Sequence, residues 1–270
     1  MDADERQSVV WSAIEALAAE DGVAPSVQHA CRACVAAVSA IGGGVSMAHP
    51  SGVAEPLFAT DAASGEVQLL QFTVGQGPCV DALAGQRAVL VKDIKSPDSG
   101  RRWPLFSRGA VALGVGAVFS FPIQSGAIRF GVLDLYRRAT GGLSALELTD
   151  ALLYADAALA LALDRDGDSS SVERLLDVTF VGRQAVVHQA AGMVSVQLGM
   201  SIADGMARLR AHAFAEDRQL GQVAADVVAR KLRFHADGEG TTVRTTDETA
   251  DDINTSGDGA GDASSPDSGG

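Results

Sequence analysis

The sequence predicts an α+β domain, a mainly antiparallel sheet flanked by helices, followed by an all-helical segment and a polar tail. Three observations carry this reading. Short apolar strand patterns alternate with helical stretches over the first 160 or so residues, with turn residues between them. Residues 172 to about 234 then keep helical spacing, with two short connections. From about residue 236 the chain is Gly, Ser, Thr and Asp with almost no large apolar side chains, too little to support a core.

The elements follow in order. A first helix spans about Glu5–Glu20 and ends at Asp21-Gly22; Pro25-Ser26 opens a second. In the second, Val27, Ala30, Cys31, Cys34, Val35 and Val38 fall on one helical face. The Gly42-Gly-Gly44 run is expected to stop it. Val45–Ala48 and Val53–Ala59 read as strands joined by the turn His49-Pro-Ser-Gly52. A helical stretch over Glu66–Phe72 leads to Gly75-Gln-Gly-Pro-Cys79, where Pro78 suits the first position of a short helix. Arg87–Val91 reads as a strand, Trp103–Leu113 as a helix, and Gly116–Pro122 and Ile128–Arg137 as two strands. In the last strand Val132, Asp134 and Tyr136 share one face, and Gly131, Leu133 and Leu135 the other. Ser144-Ala-Leu-Glu147 is a capping box for a helix to about Leu163.

Residues 165–171 are rich in Asp, Gly and Ser and read as a linker. Ser171 then caps a long helix, Val172–Leu198, that is apolar on more than one side, as in a bundle or a paired helix. Gly199 ends it. Ser201 starts a helix carrying Ile202, Met206, Leu209 and Ala213, and the last places Leu220, Val223, Ala224, Val227 and Val228 on one face. The expected organisation is an α+β domain over 5–164, a three-helix domain over 172–235, and a disordered acidic tail over 236–270.

Charge is unevenly placed. The formal net charge is −13. From His235 onward nine acidic residues face Arg244 alone, whereas residues 172–235 hold eight Arg or Lys against six carboxylates. Bulk acidity therefore hides a mildly basic helical segment. The N-terminus is acidic, unlike a signal peptide, and the most apolar stretch carries three acidic residues, too many for a membrane span. Three cysteines without a secretory signal fit a reducing compartment, so a cytoplasmic location is expected.

Two resemblances then enter. Gln71-Phe-Thr-Val-Gly-Gln-Gly-Pro-Cys-Val-Asp-Ala-Leu83, Arg102-Trp-Pro-Leu-Phe106 and Phe121-Pro-Ile123 resemble the GAF domains of actinobacterial GAF–ANTAR proteins. The run His188-Gln-Ala-Ala-Gly-Met-Val-Ser-Val-Gln-Leu-Gly-Met-Ser201 is similar to the ANTAR motif, as are Ala207-Arg-Leu-Arg-Ala-His-Ala213 and Leu220-Gly-Gln-Val-Ala-Ala-Asp-Val-Val228. Together they cover most of residues 5–234. The resemblance implies a dimeric, signal-responsive antiterminator whose helical domain binds paired hairpins in leader RNA, and no catalytic step. Two departures stand out: Ala191 occupies the position where the family motif usually has Lys, and Asp204-Gly205 replaces the usual Glu-Ala.

The candidate RNA contacts are His188, Gln189, Ala190 and Ala191, where small residues permit close approach and His and Gln offer stacking and hydrogen bonds, with Arg210, Arg218, Arg230 and Lys231 for phosphates. Close helix packing explains the small residues equally well. Cys79, Phe119, Asp134 and Tyr136 are the candidate wall of a ligand pocket in the first domain. Cys31-Arg-Ala-Cys34 lacks a second ligand pair and reads as core rather than zinc site. No haem, nucleotide or metal signature is present, and no cofactor is expected. The rival reading is a signalling adaptor whose helices dock a protein partner and no longer bind RNA.

Overall fold

The computed structural model describes residues 2–49, 53–126, 128–163, 178–216, 218–237 and 240–245. Its first part is a five-stranded antiparallel sheet with helices on both faces, the α+β arrangement that the sequence predicts. Helix α1 (Ala3–Asp21) starts in a reciprocal capping box between Asp2 and Glu5 and stops at Gly22, which is left-handed at φ 67°. Helix α2 (Val27–Ala37) follows directly.

The sheet order is β2-β1-β5-β4-β3, with β1 Gly42–Ala48, β2 Ala54–Ala59, β3 Val89–Val91, β4 Ala117–Ser125 and β5 Ile128–Arg137. The three glycines expected to stop α2 instead form the start of β1, which corrects the sequence reading. Their absent side chains make room. A Cβ on Gly43 would lie 2.6 Å from the Asp134 carbonyl oxygen, and one on Gly44 2.5 Å from the Gln68 amide. Gly44, with Gly42 beside Ser64, lets helix α3 (Ala62–Val74) lie close over one face of β1, while Gly43 makes room on the other face for Val35 of α2. Helix α4 (Pro78–Gly85) carries Pro78 at its first turn. A short helix α5 (Pro97–Arg102) precedes α6 (Pro104–Ala112), where sequence reading gave one helix from Trp103.

One face of the sheet packs against α1, α2 and α7 (Ala145–Leu163) through Ile14, Cys31, Cys34, Leu133, Leu135 and Tyr154. The predicted Ser144–Glu147 capping box is present, and Glu147 also pairs with Arg137 of β5. An Arg6–Asp150 ion pair at 2.7 Å ties α1 to α7. The other face packs against α3, α4 and α6 through Val132, Tyr136, Trp103 and Phe106.

The linker, residues 172–177 and the turn at 50–52 lie outside the described residues. The second part contains α8 (Val178–Leu198), α9 (Ile202–Ala215) and α10 (Leu220–Val228), joined through Leu209, Val194, Val223 and Val227. Gly199 ends α8 at φ 64° and Ser201 caps α9. Helices α8 and α9 are bent 105° from each other. A Cβ on Gly205 would sit 2.6 Å from the Ala191 carbonyl oxygen, so Gly205 sets how closely the two backbones approach.

The chain beyond α10 is a correction. Helix is lost at Arg230, which has φ 60°, and β6 (Leu232–Asp237) pairs antiparallel with β7 (Gly240–Thr245). Leu232 and Phe234 point into the helical core while Arg233 and His235 are exposed. Residues 232–237 are thus strand rather than helix, and residues 240–245, expected in the tail, form its partner strand. Among the described residues, no single helix is long and apolar enough to cross a membrane.

Candidate functional site: a buried polar cluster and an exposed basic groove

The sheet face beneath α3 and α4 collects polar groups in an otherwise apolar layer. Asp134 and Tyr136 of β5 alternate with Leu133 and Leu135, so they project toward α3 and α4. Ser120 lies opposite Asp134 in the β4–β5 register, and its hydroxyl is hydrogen bonded to the Asp134 carboxylate at 2.5 Å. Gln68 spans the irregularity between β1 and β2, its amide accepting from the Val45 N–H (3.1 Å) and donating to the Phe58 carbonyl (3.0 Å). Gln71 accepts from the Cys79 N–H at 2.9 Å and so caps α4, which has no cap of its own. Gly77 makes this possible: its φ is +140°, and a Cβ there would fall 2.3 Å from Gln71 Oε1, the capping oxygen itself.

Cys79, Asp134 and Tyr136 are buried together, as the sequence suggested. Phe119 is not with them. It pairs with Leu135 and packs in the opposite layer, because adjacent residues of β4 face opposite ways. Three atoms of the cluster have no hydrogen-bond partner among the described residues: Asp134 Oδ2, Tyr136 Oη and Gln71 Nε2. Burial raises the Asp134 carboxyl to about 7, against the opposing pull of Ser120 and Cys79. Burial, with the Asp134 charge nearby, pushes the Cys79 thiol and the Tyr136 hydroxyl well above their usual ranges. Cys79 is therefore held as a neutral thiol, not a nucleophile. The same holds for Cys31 and Cys34 in the opposite layer, which burial also raises.

Elsewhere in the first part, Ser26, His29 and Asp21 form a series. Ser26 Oγ is 2.7 Å from His29 Nδ1, and His29 Nε2 is 3.2 Å from Asp21 Oδ2. Ser26 is buried at the start of α2, and neither of the grooves described below reaches it. The series ties the α1–α2 corner together. Among the described residues, no group of three or more His, Cys, Asp or Glu could hold a metal ion.

The candidate RNA contacts separate into three environments. Ala190 and Ala191 are fully buried in the helical core, so neither can touch a nucleic acid. His188 and Arg210 face the first domain. The His188 ring stacks on His49 with centroids 4.7 Å apart, and its Nε2 is 3.4 Å from Glu55 of β2. Arg210 donates to the Phe72 carbonyl at the end of α3 (2.6 Å) and lies over the Phe72 ring. Arg218 is half-buried and paired with Asp226. Arg210 and Arg218 also line a groove of about 460 Å³ with Leu105 and Phe214.

Gln189, Arg230 and Lys231 are exposed. Gln189 and Arg230 border a second groove of about 600 Å³, together with Met193, Val196, Gln197 and Arg233. Met193 and Val196 are one turn and two turns beyond Gln189 on α8, and Val196 is 83% exposed, the most exposed large apolar side chain among the described residues. Gln197 accepts from the Phe234 N–H (3.0 Å), fixing β6 alongside α8. Sequence reading does not single out Met193 and Val196, whose role in the groove depends on β6 lying alongside α8 and bringing Arg233 beside them.

No family model matches the chain, and no curated protein matches it. Solved structures that resemble it do so at low identity. The GAF domain of a phosphoenolpyruvate-protein phosphotransferase from Coxiella burnetii is 13% identical, covering 59% of this chain and 96% of that one, with a TM-score of 0.45. The GAF domain of the cyanobacteriochrome TePixJ is 13% identical over 51% of this chain and 86% of its own, TM-score 0.39. A type II free methionine-R-sulfoxide reductase from Thermoplasma acidophilum is 15% identical over 51% of this chain and 89% of its own, TM-score 0.38.

Proposed function

We propose that this chain is a signal-responsive, RNA-binding transcription antitermination regulator, with a GAF-like sensor domain in its first part and an ANTAR-like RNA-binding domain in its second. The observation that carries the RNA reading is the groove along α8, where Gln189, Arg230 and Arg233 surround Met193 and Val196 on the segment that resembles the ANTAR motif. Cations can hold backbone phosphates, while a glutamine and an apolar floor can receive unpaired bases of a hairpin loop. The contacts assigned from sequence to Ala190, Ala191, His188 and Arg210 move to this face.

Sensing is assigned to the buried cluster of Asp134, Tyr136, Gln71 and Cys79. Its three unpartnered polar atoms are groups that a small polar ligand could satisfy, since a buried donor or acceptor left unmade costs about 1–3 kcal/mol. Helix α3 supplies a route outward. It holds Gln71 at the cluster and, one residue on, the Phe72 carbonyl that Arg210 grips. The proposed active form is a homodimer in the cytoplasm, and the mechanism contains no catalytic step.

The test is a titration of the full chain with a two-hairpin leader RNA and a scrambled control across salt. Selective binding that weakens with salt is expected, and Arg230→Ala with Arg233→Ala should flatten the logarithmic salt slope by about 2. A second reading, a protein-docking adaptor, is favoured by the exposure of Val196. Folded protein that shows no RNA selectivity at any salt would establish it over the first.

A further inference from the structure

The groove on α8 lies beside the point where the chain leaves the β6–β7 hairpin. Thr245, the last residue of β7, pairs with Leu232 of β6. The chain therefore continues from a position next to Arg233 and two residues from Arg230, the two cations of the groove. Neither arginine has a carboxylate partner among the described residues.

The segment that follows is complementary to that groove in two independent respects. Residues 246–253 carry Asp247, Glu248, Asp251 and Asp252, and residues 246–270 contain no Lys, Arg or His. The same 25 residues contain one large apolar side chain, Ile253. The groove has the reverse composition: two arginines at its rim and an apolar floor of Met193 and Val196. Reach is sufficient, since Asp247 is within about 7 Å of Thr245 along an extended chain and Ile253 within about 29 Å.

We infer that residues 247–253 fold back into the α8 groove, their carboxylates on Arg230 and Arg233 and Ile253 on Met193 and Val196. The occupant is this segment of the same chain. Short flexible tethers give effective concentrations on the order of 1 mM, so a segment with an intrinsic affinity of only ~0.1 mM would fill the groove about nine-tenths of the time. Docked there, the carboxylates take the place of phosphates, and the groove opens to RNA only when they are displaced. That consequence rests on the RNA-binding reading above; the docking itself does not.

The experiment uses the full chain with ¹³C-labelled methionine methyl groups, the Met193 signal being assigned through Met193→Leu. It is compared with a chain carrying D247N, E248Q, D251N and D252N, and with Ile253→Ser. At about 50 mM salt the Met193 methyl signal of the native chain should differ from that of the neutralised chain, and the two should converge near 0.5 M as screening removes the attraction. Ile253→Ser should shift the signal part of the way. The difference should not depend on protein concentration. In the RNA titration, the neutralised chain should bind about tenfold more tightly than the native chain at low salt, the fold-change set by the tether.

Identical Met193 signals in the native and neutralised chains at low salt would overturn the docking, as would a difference that grows with protein concentration, which would place the segment on a second copy. A Met193 difference with RNA binding by neither chain would uphold the docking and overturn the RNA reading. RNA binding without a Met193 difference would do the opposite.

Discussion

The two faces of one sheet are built from the same five strands yet follow opposite rules. Toward α1, α2 and α7 the residues are Leu133, Leu135, Phe119, Phe121 and Val45, all apolar and all buried. One position along each strand, toward α3 and α4, are Asp134, Ser120 and Ser46, equally buried but polar. The first face contributes stability through area removed from water, at roughly 25 cal/mol per Å². The second gives part of that up, because desolvated polar groups are stabilising only when every hydrogen bond is made. Here they are not all made. A sheet that keeps one layer wholly apolar and sets a few buried, incompletely hydrogen-bonded polar groups in the other divides its stability unevenly between its two faces.

Truncation on the dry face should have the largest effect. Leu135→Ala removes a fully buried side chain from the middle of the layer. A loss of about 2–5 kcal/mol is expected, as for other buried leucines where the surroundings collapse only partly. Equilibrium denaturation at fixed pH measures it. A loss below about 1 kcal/mol would mean that the two layers are not energetically distinct.

The next effect belongs to the polar face and depends on pH. The Asp134 carboxyl titrates near 7 in the folded chain because burial disfavours its charge, whereas its ordinary value is 3.8. Between these values the folded chain holds a proton that the unfolded chain has released, so stability falls as pH rises from about 4 to 7 and then levels off. Asp134→Asn keeps an acceptor for the Ser120 hydroxyl and cannot ionise. The variant should be the more stable chain at pH 8 by a few kcal/mol, with the gap closing toward pH 4. A gap of the same size at both pH values would show that Asp134 is already paired with something that holds its charge.

Much of this contrast was legible in the sequence, and the parts that were not have a common cause. Alternation along β5 assigned Asp134 and Tyr136 to one face and Leu133 and Leu135 to the other, because a strand's period is local. Phe119 was placed on the wrong face, since its side relative to Asp134 depends on the register between β4 and β5, which no single strand reveals. Gly42–Gly44 looks like a helix stop; only the approach of α3 at Gly42 and Gly44, and of α2 at Gly43, explains why β1 needs glycine there. Ala191 and Gly205 stand out in the sequence only as departures from the ANTAR motif. In the fold they are the contact at which α8 and α9 cross. Arg210 reads as a phosphate contact, but its partner is a backbone carbonyl 138 positions earlier in the chain. The β6 strand could have been found: Leu232 and Phe234 alternate with Arg233 and His235 at period two, a signal hidden by the helical pattern just before it.

The smallest expected effect is the sharpest probe of the polar face. Tyr136 Oη is buried without a partner, so its hydroxyl costs desolvation and recovers nothing within the domain. Tyr136→Phe removes only that oxygen and leaves the ring against Val132 and Trp103, in the same layer. Stability should rise by about 1 kcal/mol, the lower end of the cost of an unmade buried hydrogen bond. If the hydroxyl is instead reserved for a ligand, the same variant should leave folding untouched while weakening any small molecule that occupies the cluster. Thermal shift of the native chain and of Tyr136→Phe against a panel of small polar compounds separates the two. A clear destabilisation of the ligand-free variant would mean that the hydroxyl already has a partner, and that the polar face is structural after all.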